Sequence, residues 1–137
     1  MDANKLGQFL RDLQADDPQM VHNLAVFTLE GQVIASTDPD PARAERLARL
    51  LGLFAQKAHE FVALYAREPL ELICIRLSPA ALQSSEISGT CLILRPLVAS
   101  YILVIDFKWK SSFRDPALWE RPSTHAQLSE MLMEIEQ

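Results

Sequence analysis

The stretch HNLAVFTLEGQVIAST, residues 22–37, decides the fold. Its first half, residues 24–29, is apolar on both sides of an extended chain apart from one threonine, which is typical of a central strand covered on both faces. Glu30-Gly31 then interrupts the run, and a glycine can adopt the positive φ that a tight reversal needs. Residues 33–35 are apolar again. No histidine, cysteine or lysine stands at the reversal, so the stretch predicts a β-hairpin and not a catalytic loop.

Helical spacing of apolar residues flanks this hairpin. Residues 2–15, 41 to about 67, and 123–136 predict three helices. Asp40 is the expected N-cap of the middle helix, with Pro at the first helical position. The middle helix carries one apolar stripe through Leu47, Leu51, Phe54, Ala58, Phe61, Val62 and Tyr65, which Leu50 and Leu53 widen. This surplus exceeds what one sheet face needs and predicts a second partner for the helix.

Three further apolar runs, residues 70–77, 91–97 and 101–107, are rich in branched aliphatic residues and predict strands. The element order is therefore α-β-β-α-β-β-β-α. Strands that are apolar on both faces need cover on both faces. The sequence thus predicts an α/β sandwich of the α+β class, in which a five-stranded antiparallel sheet lies between the long central helix and the two terminal helices.

The length of 137 residues predicts a single domain. Its core is expected at residues 20–108, followed by an irregular segment at 109–122 and the C-terminal helix. The 12 residues 78–89, between the third and fourth strands, are longer than a hairpin needs.

Composition limits the possible functions. The net charge of −5 argues against a nucleic-acid-binding face, which needs clustered basic residues. No apolar run approaches the length of about 20 residues that crosses a bilayer, and the first residues carry no secretory segment. We therefore expect a cytoplasmic protein in which Cys74 and Cys91 stay reduced and serve as small core residues.

Motifs of catalysis and cofactor binding are absent from the sequence. His22, His59 and His125 lie on different elements without metal-ligand spacing, and the four glycines form no phosphate-binding loop. The sequence therefore predicts no catalytic residue, no metal site and no cofactor. Asp106, inside ILVIDFKW, is the one unusual carboxylate. It could be an active-site acid, but a cross-strand ion pair with Arg95 or a solvent-facing position needs only ordinary sheet geometry, so a structural role is favoured.

Three arginines, Arg43, Arg46 and Arg49, follow one another at intervals of three along the middle helix. A solvated flank of the helix accounts for them most simply. The sharper hypothesis is an arginine supplied to a GTPase active site.

With these residues laid out, the sequence resembles the roadblock family, the dynein-light-chain roadblock-type domains, over residues 22–107. AVFTLEGQVIAST is similar to the strand, acidic-glycine turn and strand of that family, and LILRPLVASYILVIDF is similar to its closing strand pair. The motifs concern the fold and carry no catalytic residue. The loop 78–89 and the segment 109–122 depart from the family pattern.

The resemblance implies a non-enzymatic, homodimeric regulator or scaffold of a small Ras-like GTPase, with another roadblock-like subunit as a possible partner. It implies a dimer interface on the long helix and on the third strand, made of Leu50, Leu53, Phe54, Lys57, Phe61, Leu72 and Cys74. The arginines together with Trp109, Phe113 and Trp119 form a candidate partner site, since aromatic and arginine side chains anchor interfaces; the aromatic residues could equally cover the core.

Two other classes fit parts of the pattern. PAS- and GAF-like sensors also place helices beside a five-stranded antiparallel sheet and bind a small ligand, but they usually have several short helices where this chain has one long helix. Type III secretion chaperones are small, acidic and dimeric, but they generally have three strands before the middle helix, and two are predicted here.

Overall fold

A computed structural model describes residues 3–16, 21–67, 69–76, 88–97, 100–110 and 122–136. The elements are α1 (Ala3–Ala15), β1 (Val21–Thr28), β2 (Val33–Ser36), α2 (Pro41–Ala63), β3 (Ile73–Arg76), β4 (Ser88–Pro96), β5 (Tyr101–Lys110) and α3 (Pro122–Glu136). The predicted order α-β-β-α-β-β-β-α is confirmed.

The five strands form one sheet in the order β2-β1-β5-β4-β3, and all neighbours are antiparallel. β5 occupies the centre because it pairs with β1 on one side and β4 on the other. Val104, for example, lies opposite Ala25 of β1 and Leu94 of β4. The short strands β2 and β3 are the two edges.

Side chains alternate across this sheet into two cores, as predicted. On one face, α1 and α3 contribute Leu6, Leu10, Leu128 and Leu132, all fully buried, against residues such as Val26, Ile105 and Phe107. On the other face, α2 packs against Ala25, Phe27, Leu94, Ile102 and Val104. The sheet is therefore covered on both faces, which explains why its central strands carry no polar alternation.

The reversal between β1 and β2 has the predicted form. Gly31 has a φ of +92°, and its N–H donates to the carbonyl oxygen of Thr28 at 3.0 Å. The hydroxyl of Thr28 accepts from the N–H of Gln32 at 3.0 Å, so this side chain stabilises the turn. Its buried position next to the turn accounts for the single polar residue in an otherwise apolar strand.

α2 packs on the sheet through small residues. Its buried positions are Ala44, Ala48, Leu51, Gly52 and Ala55. A Cβ at position 52 would come within 2.8 Å of the carbonyl oxygen of Leu29, so a glycine is what allows the helix to approach the β1–β2 turn this closely.

This arrangement corrects the predicted face of the helix. The stripe predicted from the sequence placed Phe54, Phe61 and Tyr65 together with Leu51, but these three aromatic residues are 45–77% exposed. The alanines, with little hydropathy of their own, determine the buried face because only small side chains permit the close approach of helix and sheet.

Several element ends also differ from the predictions. α2 ends at Ala63 and not near residue 67, because the N–H groups of Leu64 and Tyr65 bond three residues back, to Phe61 and Val62, and tighten the last turn. β3 is shorter than residues 70–77. β5 extends to Lys110, into the predicted irregular segment, because β4 begins at Ser88 and pairs with it.

Candidate functional site

The outer side of α2 carries large apolar side chains that nothing in the chain covers among the residues described. Leu50, Leu53, Phe54, Phe61, Leu64 and Tyr65 are 45–84% exposed. A spacing of three and four residues places the first four on one side of the helix, facing away from the buried alanines. Leu64 and Tyr65 continue the series in the turn that follows Ala63. We call these six residues the outer stripe. A soluble monomer rarely exposes a contiguous apolar patch of this kind unless the patch has a partner.

The predicted interface residues of α2 therefore lie together. Leu50, Leu53, Phe54 and Phe61 belong to the outer stripe, and Lys57 falls between Phe54 and Phe61 at helical spacing, where its ammonium group lies 3.3 Å from Glu60 Oε2. Both members of this ion pair are about two-thirds exposed, so it contributes little to stability.

Leu64 and Tyr65 are not among the predicted interface residues, although they are the most exposed members of the outer stripe. The rings of Phe61 and Tyr65 pack together, with centroids 4.9 Å apart, at the C-terminal end of the helix. Spacing could have found Leu64, because it continues the series Leu50, Phe54, Lys57, Phe61 by one further step of three.

The edge strand β3 carries the remaining predicted interface residues. Leu72, just before the strand, is 38% exposed. Within the described residues β3 pairs with β4 alone, so its outer edge presents backbone donors and acceptors that a second strand could use.

Cys74 in β3 is exposed, so the prediction that both cysteines are core residues is wrong for this one; Cys91 is buried. The two sit diagonally across β3 and β4, since Cys74 lies opposite Ile93 and Cys91 lies opposite Arg76. Their sulfur atoms are 3.4 Å apart without a disulfide. Cys74 is exposed because it lies on an edge strand and faces away from α2.

The three arginines do not act as one group. Arg43 is held by Asp38 through two hydrogen bonds, Nη2 to Oδ1 at 2.7 Å and Nε to Oδ2 at 2.8 Å. The Arg43 guanidinium holds the pKa of the Asp38 carboxyl below its ordinary value. Arg46 and Arg49 are exposed. The backbone of Trp109 lies in β5, and Phe113 and Trp119 lie outside the described residues.

The structure excludes one of the roles considered for Asp106, the ion pair with Arg95. The register places Arg95 opposite Leu103 and places Asp106 between Leu92 of β4 and Asn23 of β1. Because Arg95 and Asp106 belong to opposite faces of the sheet, this cross-strand pair does not form. Asp106 instead points to the α2 face.

The carboxyl group of Asp106 is mostly enclosed. Its side chain is 30% exposed, and Oδ1 has no hydrogen-bond partner among the described residues. The nearest basic group to this oxygen is Nδ1 of His22, at 3.8 Å, which is beyond hydrogen-bond distance. Burial raises the pKa of Asp106, whereas His22, Arg43 and a side-chain hydrogen bond from Asn23 act in the opposite direction.

The described residues contain neither a cluster of metal ligands nor a helix that could span a membrane. Within the described part of the chain, no three histidine, cysteine, aspartate or glutamate side chains converge as metal ligands. Over the same residues, none of the helices combines the length and apolar character of a membrane span.

Comparison with known proteins bears on the fold. No protein-family model matches the chain, and no curated protein matches its sequence. Among solved structures, the chain is similar to a Roadblock/LC7 domain from Streptomyces avermitilis, with a TM-score of 0.70, 14% identity and 98% of each chain covered. It is also similar to MglB of Myxococcus xanthus, with a TM-score of 0.65, 14% identity, and 97% of this chain and 88% of that chain covered.

A further structure, described as MglB with a tetrameric arrangement, matches with a TM-score of 0.61 and 14% identity over 97% of this chain and 88% of that chain. These identities are too low to transfer a function, but the agreement extends over nearly the whole chain. Together with the observed element order, it shows that this chain has a roadblock-type fold.

Proposed function

We propose that this protein is a homodimeric, non-catalytic interaction module that regulates or scaffolds a small Ras-like GTPase. The single observation that carries the proposal is the arrangement of α2, which turns its small residues to the sheet and its outer stripe to solvent. A helix that served only its own domain would bury its large apolar side chains and expose its small or polar ones.

A second copy of the chain is the occupant that fits this surface best. The outer stripe repeats one kind of contact, aliphatic and aromatic, along the exposed length of a helix, so two such helices can pack against each other about a twofold axis. Lys57 lies within the series of the stripe and its ion-pair partner Glu60 lies beside it, so the two side chains can exchange partners between the two copies. The outer edge of β3 offers backbone pairing in the same assembly.

The roadblock-type fold supports this proposal, because the resemblance set out above implies pairing of central helices and of a sheet edge. One of the similar solved structures, MglB, is described as a tetrameric arrangement. The same resemblance implies a GTPase partner. Of the other classes considered, the secretion chaperones fit less well since only two strands precede α2, and the sensors fit less well since one unbroken helix joins β2 to β3.

The first test is the mass of the protein in solution. Light scattering coupled to size-exclusion chromatography at tens of micromolar is expected to give twice the mass of 15.4 kDa for one chain. A monomer at that concentration would contradict the pairing of α2 helices.

The second test concerns the GTPase. Ras-like GTPases of the same organism, loaded with GDP or with a non-hydrolysable GTP analogue, are measured for binding to the immobilised dimer. Binding that depends on the nucleotide is expected. Replacement of exposed Arg46 and Arg49 by alanine should weaken it if these side chains reach the partner, whereas the control Arg11→Ala on α1 should not. Failure of all GTPases to bind the intact dimer would remove this part of the proposal and leave the dimer standing.

A further inference from the structure

A cavity of about 320 Å³ lies between the N-terminal half of α2 and the sheet, on the side away from the outer stripe. Much of its wall is apolar and comes from three strands and the helix: Ala25, Phe27, Leu92, Val104, Leu47 and Leu51. Its volume lies at the lower end of the range of small-molecule sites, about 300–1,000 Å³. The cavity can therefore enclose the body of a small aromatic or aliphatic compound.

A β-bulge places polar groups at one end of this cavity. Val21 pairs with Phe107 and Asn23 pairs with Asp106, so His22 is an extra residue in β1. His22, Asn23 and Asp106 all line the cavity. The side-chain oxygen of Asn23 accepts from the hydroxyl of Thr37 at 3.4 Å, and its side-chain amide donates to the Asp106 carboxyl group. Bulges of this kind often redirect side chains beside a binding site.

The second polar group at the cavity is already satisfied. Asp38 accepts two hydrogen bonds from Arg43 and one from the N–H of Asp40, at 2.7–2.9 Å. The side chain of Asp38 is only 6% exposed. These two opposite charges offset each other, and the Arg43 guanidinium is fixed by two bonds in a fork geometry.

Asp106 is the carboxyl group at this end of the cavity that no basic side chain holds by a hydrogen bond among the described residues. Its Oδ1 is buried, but its side chain as a whole is 30% exposed. The charges of Asp38 and Arg43 offset each other, and Nδ1 of His22 lies 3.8 Å from Asp106 Oδ1. A ligand that brings a charged donor to the exposed part of this carboxyl group would therefore gain a charge-assisted hydrogen bond.

We propose that this cavity binds a small organic ammonium compound, with the ammonium group donating to Asp106 and the apolar body enclosed between the sheet and α2. The binding site is separate from the outer stripe and does not depend on the proposed dimer or on a GTPase. An anionic ligand is disfavoured, because it would face the carboxylate, and a purely apolar ligand would offer the carboxylate no donor.

Three probes that share a phenethyl body test the head-group preference: phenethylamine, phenethyl alcohol and hydrocinnamate. Each is titrated into isotope-labelled protein at neutral pH and followed by amide chemical shifts. We expect phenethylamine to bind with shifts at the cavity strands, phenethyl alcohol to bind about tenfold more weakly for want of the charge-assisted hydrogen bond, and hydrocinnamate not to bind. Equal binding of all three probes, no binding of the amine, or shifts on the α1 and α3 face would overturn the proposal.

Variants then assign the contact. Asp106→Asn should weaken phenethylamine binding about tenfold, to the affinity of the alcohol. The control Asp12→Asn makes the same chemical change on α1, across the sheet, and should leave binding unaltered. Leu47→Phe narrows the cavity without touching the carboxylate and should weaken the amine and the alcohol alike. If Asp106→Asn does not fold, the order of affinities among the three probes and the effect of Leu47→Phe test the proposal. Unchanged binding of phenethylamine to either variant would show that it does not bind in this cavity.

Discussion

Replacement of Phe54 by glutamate is the sharpest test of the outer stripe. An enclosed aromatic side chain buries about 150–250 Å². Phe54 is 45% exposed in one subunit, which leaves about 70–110 Å² for a partner to cover. At about 25 cal/mol per Å², that area is worth about 2–3 kcal/mol in each copy. A twofold dimer contains the contact twice, so the loss is about 4–6 kcal/mol.

This loss corresponds to an increase in the dimer dissociation constant of about a thousandfold or more, since each 1.4 kcal/mol is about a factor of ten. The introduced carboxylate adds the cost of burying an unpaired charge. Sedimentation velocity over a concentration series measures the dissociation constant of the wild type and of Phe54→Glu.

Ala63→Glu is the matched control, because it adds the same charge to an exposed position of α2 that lies off the outer stripe. It should leave the dissociation constant within a few-fold of the wild-type value. Circular dichroism establishes that both variants keep their helices. A folded Phe54→Glu protein that dimerises as tightly as the wild type would refute the role assigned to the outer stripe.

Three further predictions concern the single subunit. Gly52→Ala should lower the free energy of unfolding by about 1–3 kcal/mol, as measured by urea denaturation. The added Cβ would lie 2.8 and 3.2 Å from the carbonyl oxygens of Leu29 and Thr28. An unchanged free energy of unfolding would show that α2 can move away from the β1–β2 turn. Asp40→Ala should cost about 0.5–2 kcal/mol in the same assay, because Asp40 caps two N–H groups of α2, and Asp40→Asn should recover most of it. Burial raises the pKa of Asp106 in the folded protein, so folding is penalised once the carboxyl ionises, and Asp106→Asn should be more stable than the wild type by about 1–3 kcal/mol at neutral pH. That difference should shrink as the pH falls through the raised folded-state pKa and vanish below the ordinary value of 3.8; a difference that grows toward acid pH would show that the carboxylate is stabilised by its surroundings.

Sequence reasoning succeeded where local chemistry and tertiary structure agree. The Glu30-Gly31 reversal, the Asp40 cap and the doubly apolar central strands each follow from one stretch of chain. The face of α2 could not be predicted in the same way, because alanine and glycine give a weak hydropathy signal and their burial is decided by how close the helix comes to the β1–β2 turn.

The environment of Asp106 was equally inaccessible to sequence reasoning. Its partners depend on the register of β5 against two other strands, and one extra residue at His22 changes which side chains meet. The sequence marked Asp106 as unusual, but neither the absence of an Arg95 contact nor the cavity beside it follows from strand pattern alone.

The bulge at His22 also affects how this protein can tolerate the deletion of a residue in the course of evolution. Loss of one residue from a central strand ordinarily inverts every side chain on one side of the gap. Here, removal of His22 would leave Val21 opposite Phe107 and Asn23 opposite Asp106, because those pairs already flank the extra residue. Insertion or deletion of this residue during evolution could therefore change the lining of the cavity, while the strand pairing of the hydrophobic core stayed the same.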